Sequence, residues 1–200
     1  MGDIFDALFG QVKYTHKKNA EAISLLNQIS QDIEIIYLEG NHDFNLQNLF
    51  PNIKLFKISQ QPIATTFENK NILLSHGDFN AGFGYKIYST IIRNPLTLYL
   101  LAFIDNRFSH FILNKLDTIL SKKNDCKTMQ TFEEFTQQRL TQHYNCDYFI
   151  DGHFHQNQTF QMSSFTYINI GAFACNQRYF IVKSTQNKEL LEEHIFSKGI

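Results

Sequence analysis

Two hundred residues of 23.4 kDa make a chain the size of one large domain, or of one domain with a small cap. Apolar residues are 43% and charged residues 18%, which excludes a disordered tail and provides for a real core. A net charge of −1 with a pI near 6.7 excludes the strongly basic footprint of a dedicated nucleic-acid binder, and no nucleic acid is expected as a partner.

Gly2-Asp3-Ile4-Phe5-Asp6 has neither the basic nor the apolar region of a secretion signal. The longest apolar run, Leu96 to Ile104, is about half of the roughly 18 residues that a membrane span takes. Cys126, Cys146 and Cys175 are odd in number, scattered, and form no C-x-x-C pair. Neither a thiolate zinc site nor a disulfide frame is indicated, and a reducing, cytoplasmic setting is expected.

In chain order, Tyr14 to Ile29 reads as a helix, with Ala22, Ile23, Leu26 and Ile29 at helical spacing. Ile33–Leu38 is a short β-branched run that fits a buried strand, and Ile53–Ile58, Ile63–Phe67 and Ile72–Ser75 read as further strands. Gly82 and Gly84 punctuate a loop, after which Tyr85 to Lys122 is helix-like, aromatic-rich and free of strand signals. Phe132–Tyr144 reads as another helix, with Glu133, Glu134, Gln137 and Arg139 on its polar side. Strand-like runs return at Tyr148–Ile150, Phe160–Ile170, Tyr179–Ser184 and Glu189–Phe196. The order predicts an α/β or α+β layered sandwich with a helical insertion near its middle.

Chemistry concentrates in Gly2-Asp3-Ile4-Phe5-Asp6, Gly40-Asn41-His42-Asp43, Ser75-His76-Gly77-Asp78 and Asp151-Gly152-His153-Phe154-His155. The last three each follow an apolar run. In layered α/β folds ligands bind beyond the carboxyl ends of the strands. Strand ends that deliver carboxylate, amide oxygen and imidazole to one rim suit a metal held by N and O, such as Mn, Fe, Zn or Ni. On an extended strand His153 and His155 would face one way; at a strand exit they splay. Each cluster alone has a plainer use, as a turn, a helix cap or a core histidine, and their joint, ordered appearance is what points to a site. Asp43, Asp78 and Asp151 fit equally as partners that orient the imidazoles and as turn residues.

Gly2-Asp3-x-x-Asp6, Gly40-Asn41-His42-Asp43, His76-Gly77-Asp78 and Gly152-His153-x-His155 resemble the ordered motifs of the calcineurin-like metallophosphoesterases, over residues 2 to 155. The resemblance implies a four-layer α/β/β/α sandwich around two divalent ions, manganese foremost, with iron and zinc as the alternatives. It implies that Asp3 bridges the ions, that Asn41, His76 and His153 complete one of them, and that His155 binds the other. His42, paired with Asp6, would stand beside the reacting phosphate as the catalytic dyad. Two ions would bind phosphate oxygens and lower the pKa of a water. An imidazolium would stabilise the developing charge or protonate the leaving oxygen.

Within that superfamily the chain is most similar to the UDP-2,3-diacylglucosamine hydrolases of lipid A synthesis. The likeness rests on Gly2-Asp3-Ile4-Phe5-Asp6-Ala7-Leu8-Phe9-Gly10, on Asp43-Phe44 after the asparagine, and on the helical insertion. Arg is the commoner residue of that group where this chain has His42. The implied domains are a sandwich over residues 1–84 and 124–200 and a lid over 85–123. The implied reaction cleaves UDP-2,3-diacylglucosamine to UMP and 2,3-diacylglucosamine 1-phosphate. Its lipid-linked nucleotide substrate places the enzyme in the cytoplasm, with peripheral contact to the inner membrane.

The insertion carries Tyr85, Tyr88, Ile91, Leu98, Phe103, Phe111 and other apolar residues beyond what two helices easily hide. They serve either as packing or as a greasy groove, with Arg93, Lys122 and Lys123 as basic edges for the diphosphate. Two other readings stand beside this one. One is another metallophosphoesterase, acting on nucleotides or phosphoproteins; the other is a catalytically inactive scaffold. The Asp-x-His that opens the family's first strand is absent ahead of Asp3, so only Asp3 and His155 serve one of the two ions. The expectation is a sandwich lacking its N-terminal β-α unit, on the order of 30 residues, poorly stable and a weak catalyst.

Overall fold

The stretch Tyr14–Ile29 forms two helices in the computed structural model, α1 (Lys13–Lys18) and α2 (Ala20–Ile29). The break falls at Asn19, whose amide donates to the Ala7 carbonyl at 3.1 Å and the Thr15 carbonyl at 2.9 Å. A short amide side chain that bonds local backbone competes with the helix ladder. The structure describes residues 1–79, 82–183 and 190–196; Ser184 and Glu189, expected to close one strand and open the next, lie outside these. The chain is a mixed α/β protein of two compact units.

The first unit comprises residues 1–61 and the described residues from 82 to 123. Ile23 and Leu26 of α2 pack on a core of Phe5, Leu8, Tyr37, Leu46, Phe50 and Ile53. Leu8–Phe9 (β1) pairs in parallel with Asp43–Phe44 (β3), and Ile36–Leu38 (β2) with Lys54–Phe56 (β4). β2 starts later than its apolar run because the Ile33 amide bonds back to the Ile29 carbonyl at 3.0 Å, closing the helix exit. β4 stops at Phe56 because Ile58–Gln60 turns into a 3₁₀ helix.

Three helices follow: α3 (Phe83–Ile92), α4 (Pro95–Arg107) and α5 (Phe111–Leu120). Asn94 caps α4, accepting from the Leu96 amide at 2.9 Å, with Pro95 in the first helical position. Asp105 is buried and caps α5, accepting from the Ile112 and Leu113 amides at 2.8 and 3.1 Å. Leu98 and Leu113 share a core with Val12 and Phe44. The helical segment therefore packs on the opening residues of the chain and belongs to their unit.

The second unit comprises residues 62–79, 124–183 and 190–196. Its sheet holds Ile63–Phe67 (β5), Lys70–Leu74 (β6), Tyr148–Asp151 (β7), Gln158–Gln161 (β8) and Thr166–Asn169 (β9) in the order β5-β6-β7-β9-β8. β6, β7 and β9 run parallel and the outer strands antiparallel. The run Phe160–Ile170 is thus a hairpin and not one strand; Ser163 and Ser164 sit in its turn, where the Met162 amide bonds the Phe165 carbonyl at 2.9 Å. Phe132–Arg139 (α6) covers a core of Phe132, Leu140, Cys146, Phe149, Phe165 and Tyr167. Arg178–Val182 (β10) and Leu191–Ile195 (β11) form an antiparallel pair.

A second sequence expectation is corrected in this unit. Cys126 and Cys175 form a disulfide, across a sequence separation of 49 residues, and Cys146 is the free, buried cysteine. An odd count of scattered cysteines carries no pairing information; chain topology alone brings these two together.

Candidate functional site

In the first unit the chemistry gathers around Asp43, which is fully buried. Its Oδ1 accepts from the Asp3 amide at 3.0 Å and the Gly40 amide at 2.9 Å. Its Oδ2 accepts from the Ile4 amide at 2.8 Å and from the Tyr37 hydroxyl. One carboxylate thus pins the Asp3 segment against the loop that leaves β2. Burial, and then the nearby Asp3 charge, push the Asp43 carboxyl above its usual range, while its donors pull the other way. Burial also raises the Tyr37 hydroxyl, with the Asp43 charge adding to it.

Asp3 has a left-handed backbone, φ 50°, and its Oδ1 accepts from the His42 amide at 2.8 Å. A Cβ at Gly40 would collide with the Asp3 carboxylate, so only glycine allows this approach. The His42 Nδ1 lies 2.9 Å from the main-chain oxygen of Asp6. The group of Asp6 that faces this ring is its backbone carbonyl. A carbonyl acceptor fixes the tautomer with the proton on Nδ1.

Arg93, at the end of α3, lies over the Phe44 ring at 4.8 Å and donates from Nη2 to the Gly40 carbonyl at 2.9 Å. Its Nη1 is 3.9 Å from Oε2 of Glu39, a buried carboxyl whose pKa burial raises. Sequence reasoning missed Glu39. Its position beside a glycine at a strand end carries no signal of burial. Its Oε1 holds the Leu46 amide at 2.9 Å.

An apolar cavity of about 370 Å³ lies within this unit, in the size range of small-molecule sites. Its lining includes Asp6, Asn41 and His42 together with Leu98, Leu101, Ala102, Leu113, Leu116 and Leu120. Lys123 lines it as well, and Lys122 is exposed. α4 is apolar on two sides. Leu98, Leu101 and Ala102 face the cavity, whereas Leu96, Tyr99, Leu100 and Phe103, again at i, i+3, i+4 and i+7, are exposed. The insertion's apolar residues thus both pack a core and line a cavity.

In the second unit the register of β6 with β7 sets Leu74 beside Ile150, so both strands release their loops at one edge. His76 is buried and its Nε2 lies 2.9 Å from the His153 Nδ1. The His76 carbonyl accepts from the Gly152 and His153 amides at 2.9 and 2.8 Å. Gly77 has φ +125°, and an added Cβ would stand 2.9 Å from the His153 Cβ. His155 also has a left-handed backbone and turns elsewhere, with Nδ1 3.0 Å from the Asp125 carbonyl. Asp78 is buried. Asp151 is fully buried and accepts from Tyr167 Oη at 2.6 Å and Asn169 Nδ2 at 2.7 Å. Arg139, expected on the polar side of its helix, is instead 6% exposed.

Two imidazole nitrogens 2.9 Å apart fit one divalent ion with only slight separation, because metal–imidazole bonds are about 2.0–2.1 Å. The N and O donor set suits Mn, Fe or Zn. The residues present therefore fit a metal.

No family model matches the chain. The chain is similar to the UDP-2,3-diacylglucosamine hydrolase of Aromatoleum aromaticum, 29% identical over 107 residues that cover 52% of this chain and 43% of that protein. It is also similar to the UDP-2,3-diacylglucosamine hydrolases of Pseudomonas fluorescens strains SBW25 and Pf0-1, 23% and 27% identical, each covering 78% of this chain and 64% of the relative. The chain thus spans less than two thirds of the length of each. Relatives that bear a hydrolase name support a hydrolase.

Proposed function

We propose that this chain belongs to a metal-dependent hydrolase that cleaves the diphosphate of UDP-2,3-diacylglucosamine, giving UMP and 2,3-diacylglucosamine 1-phosphate. The observation that carries this reading is the apolar cavity whose lining includes Asn41 and His42. It joins a place for a hydrocarbon chain to the residues expected to do chemistry. The names of the three relatives point to the same substrate. In this reading the chain keeps the four-layer sandwich of the metallophosphoesterases, with the α3–α5 segment as its lid.

Asp3, Asn41, His76 and His153 would hold one divalent ion, and Asp3 and His155 the other, with manganese the first choice. When bound, the ions would supply Lewis acidity to the phosphate oxygens and would lower the pKa of a water. His42, with its Nδ1–H committed to the Asp6 carbonyl, would take a second proton on Nε2 from solvent and, as the imidazolium, give that proton to the leaving phosphate oxygen. The leucine-rich wall excludes water and strengthens every charge interaction beside it. Arg93, Lys122 and Lys123 supply positive charge for the diphosphate. The exposed stripe of α4 would meet the lipid surface from which substrate comes, at the cytoplasmic face of the inner membrane.

The test is UMP release from UDP-2,3-diacylglucosamine. Turnover is expected to vanish on chelation and to return with Mn²⁺. His42→Ala is expected to lose most turnover while metal content stays near wild type. Loss of bound metal in that variant would make His42 a ligand and overturn its role.

A further inference from the structure

We infer that Arg139 is a positioning residue, whose guanidinium bolts together the two strand-end loops that carry His76 and His153 and so sets the spacing of their rings. The inference deepens the metal-binding part of the proposed function and rests on it. Arg139 is the last residue of α6, a helix that otherwise serves the core. Its Nη1 donates to the Gly77 carbonyl at 2.9 Å, one residue beyond His76. Its Nη2 donates to Asp151 Oδ2 at 2.5 Å, two residues before His153, and to the Tyr167 hydroxyl at 3.2 Å. The guanidinium also lies 4.8 Å from the Phe154 ring centre, between His153 and His155 in sequence, and 5.7 Å from that of Phe79.

These contacts use the planar fork of arginine. One end takes the carbonyl of one loop, the other takes the carboxylate of the second, and the faces lie against two aromatic rings. A lysine ammonium carries the same charge but is a point donor without flat faces, and cannot reproduce both ends at once. The ion pair is buried, with the Asp151 side chain 0% exposed. A buried pair of this kind is weak evidence for net stability. The geometry at stake here is the 2.9 Å approach of the His76 and His153 rings. Partners that orient metal ligands typically change metal affinity about 10–100-fold when removed.

Co²⁺ titration of the full chain, followed by visible absorption, tests this. Arg139→Lys is expected to weaken Co²⁺ binding about 10–100-fold and to shift the absorption band. Added guanidinium is expected to restore part of the affinity to Arg139→Ala. Phe165→Leu, which loosens the same core without touching either loop, should keep wild-type affinity. Arg139→Lys that binds Co²⁺ as tightly as wild type overturns the inference, as does Phe165→Leu that weakens binding equally. The ¹⁵N shifts of the two rings in metal-free protein give a second readout. The His76–His153 contact should leave one nitrogen of the pair protonated and its partner bare, a pattern that Arg139→Lys is expected to lose. Wild type that takes up no Co²⁺, with a ring pattern that still depends on Arg139, overturns the hydrolase reading and supports the positioning role. A ring pattern unchanged in Arg139→Lys overturns the positioning role.

Discussion

Asp43 shows how a single buried side chain organises chemistry that belongs to its neighbours. The sequence leaves it open between turn residue and partner; the structure gives it four donors, three of them backbone amides. An amide in its place turns an NH₂ toward two of those donors. Asp43→Asn is therefore expected to cost about 1–3 kcal/mol of stability, read from urea unfolding, and to loosen the Asp3 segment. A variant as stable as wild type would remove Asp43 from this role. Cys146 permits a prediction with a definite sign. Burial pushes its thiol from near 9 up to about 11. The folded chain then holds that proton more tightly than the unfolded chain, so its contribution is complete below about pH 9 and is lost as the pH rises toward 11. Urea midpoints from pH 8 to 11 should fall further for wild type than for Cys146→Ala. Parallel curves for the two would refute it.

At the scale of elements, strongly patterned runs were legible and short or interrupted ones were not. Ile63–Phe67 coincides with β5, because Ile63, Thr65, Thr66 and Phe67 are residues that fit the pleated surface of a strand. β1 and β3 are two residues each and carry no periodicity; their register sets Leu8 beside Asp43 and Phe9 beside Phe44. The disulfide lies equally beyond reach of spacing, and its effect is on the element it ties. It anchors the segment whose Asp125 carbonyl holds His155. Closing a loop of 49 residues restricts the unfolded chain, and Cys126→Ser with Cys175→Ser is expected to lower stability by about 2–4 kcal/mol. Urea unfolding of wild type with and without dithiothreitol checks this, and equal midpoints would rule it out.

At the scale of the whole molecule, a net charge of −1 gives no general attraction to anionic lipid, while α4 shows solvent a stripe in which Leu96 is 78% and Phe103 71% exposed. Among the described residues no single helix is long and apolar enough to cross a membrane. In the proposed function, contact with a lipid surface would be made by that stripe and would respond weakly to salt. Co-sedimentation with phosphatidylglycerol vesicles is expected to persist at high salt. Leu100→Glu with Phe103→Glu should abolish it without lowering the melting temperature, since neither residue is buried. Binding that salt removes would assign the contact to the basic residues instead.

The sequence by itself determined the residue types of the candidate site and, for Asn41, His42, His76 and His153, their place after a strand, because a turn after an apolar run is a local event that neighbours in the chain specify; Asp3 and Asp6 instead precede β1. It also determined that residues 85–122 would be helical and apolar beyond ordinary need. Tertiary structure decided which groups hold those residues in place. The Asp6 carbonyl at His42, the Asp43 carboxylate under Asp3, and Arg93 and Arg139 on the carbonyls of Gly40 and Gly77 all come from 36 or more residues away in sequence, or through backbone atoms that every residue shares. Such partners have no signature in spacing. They are selected when burial removes water and each polar group must find another.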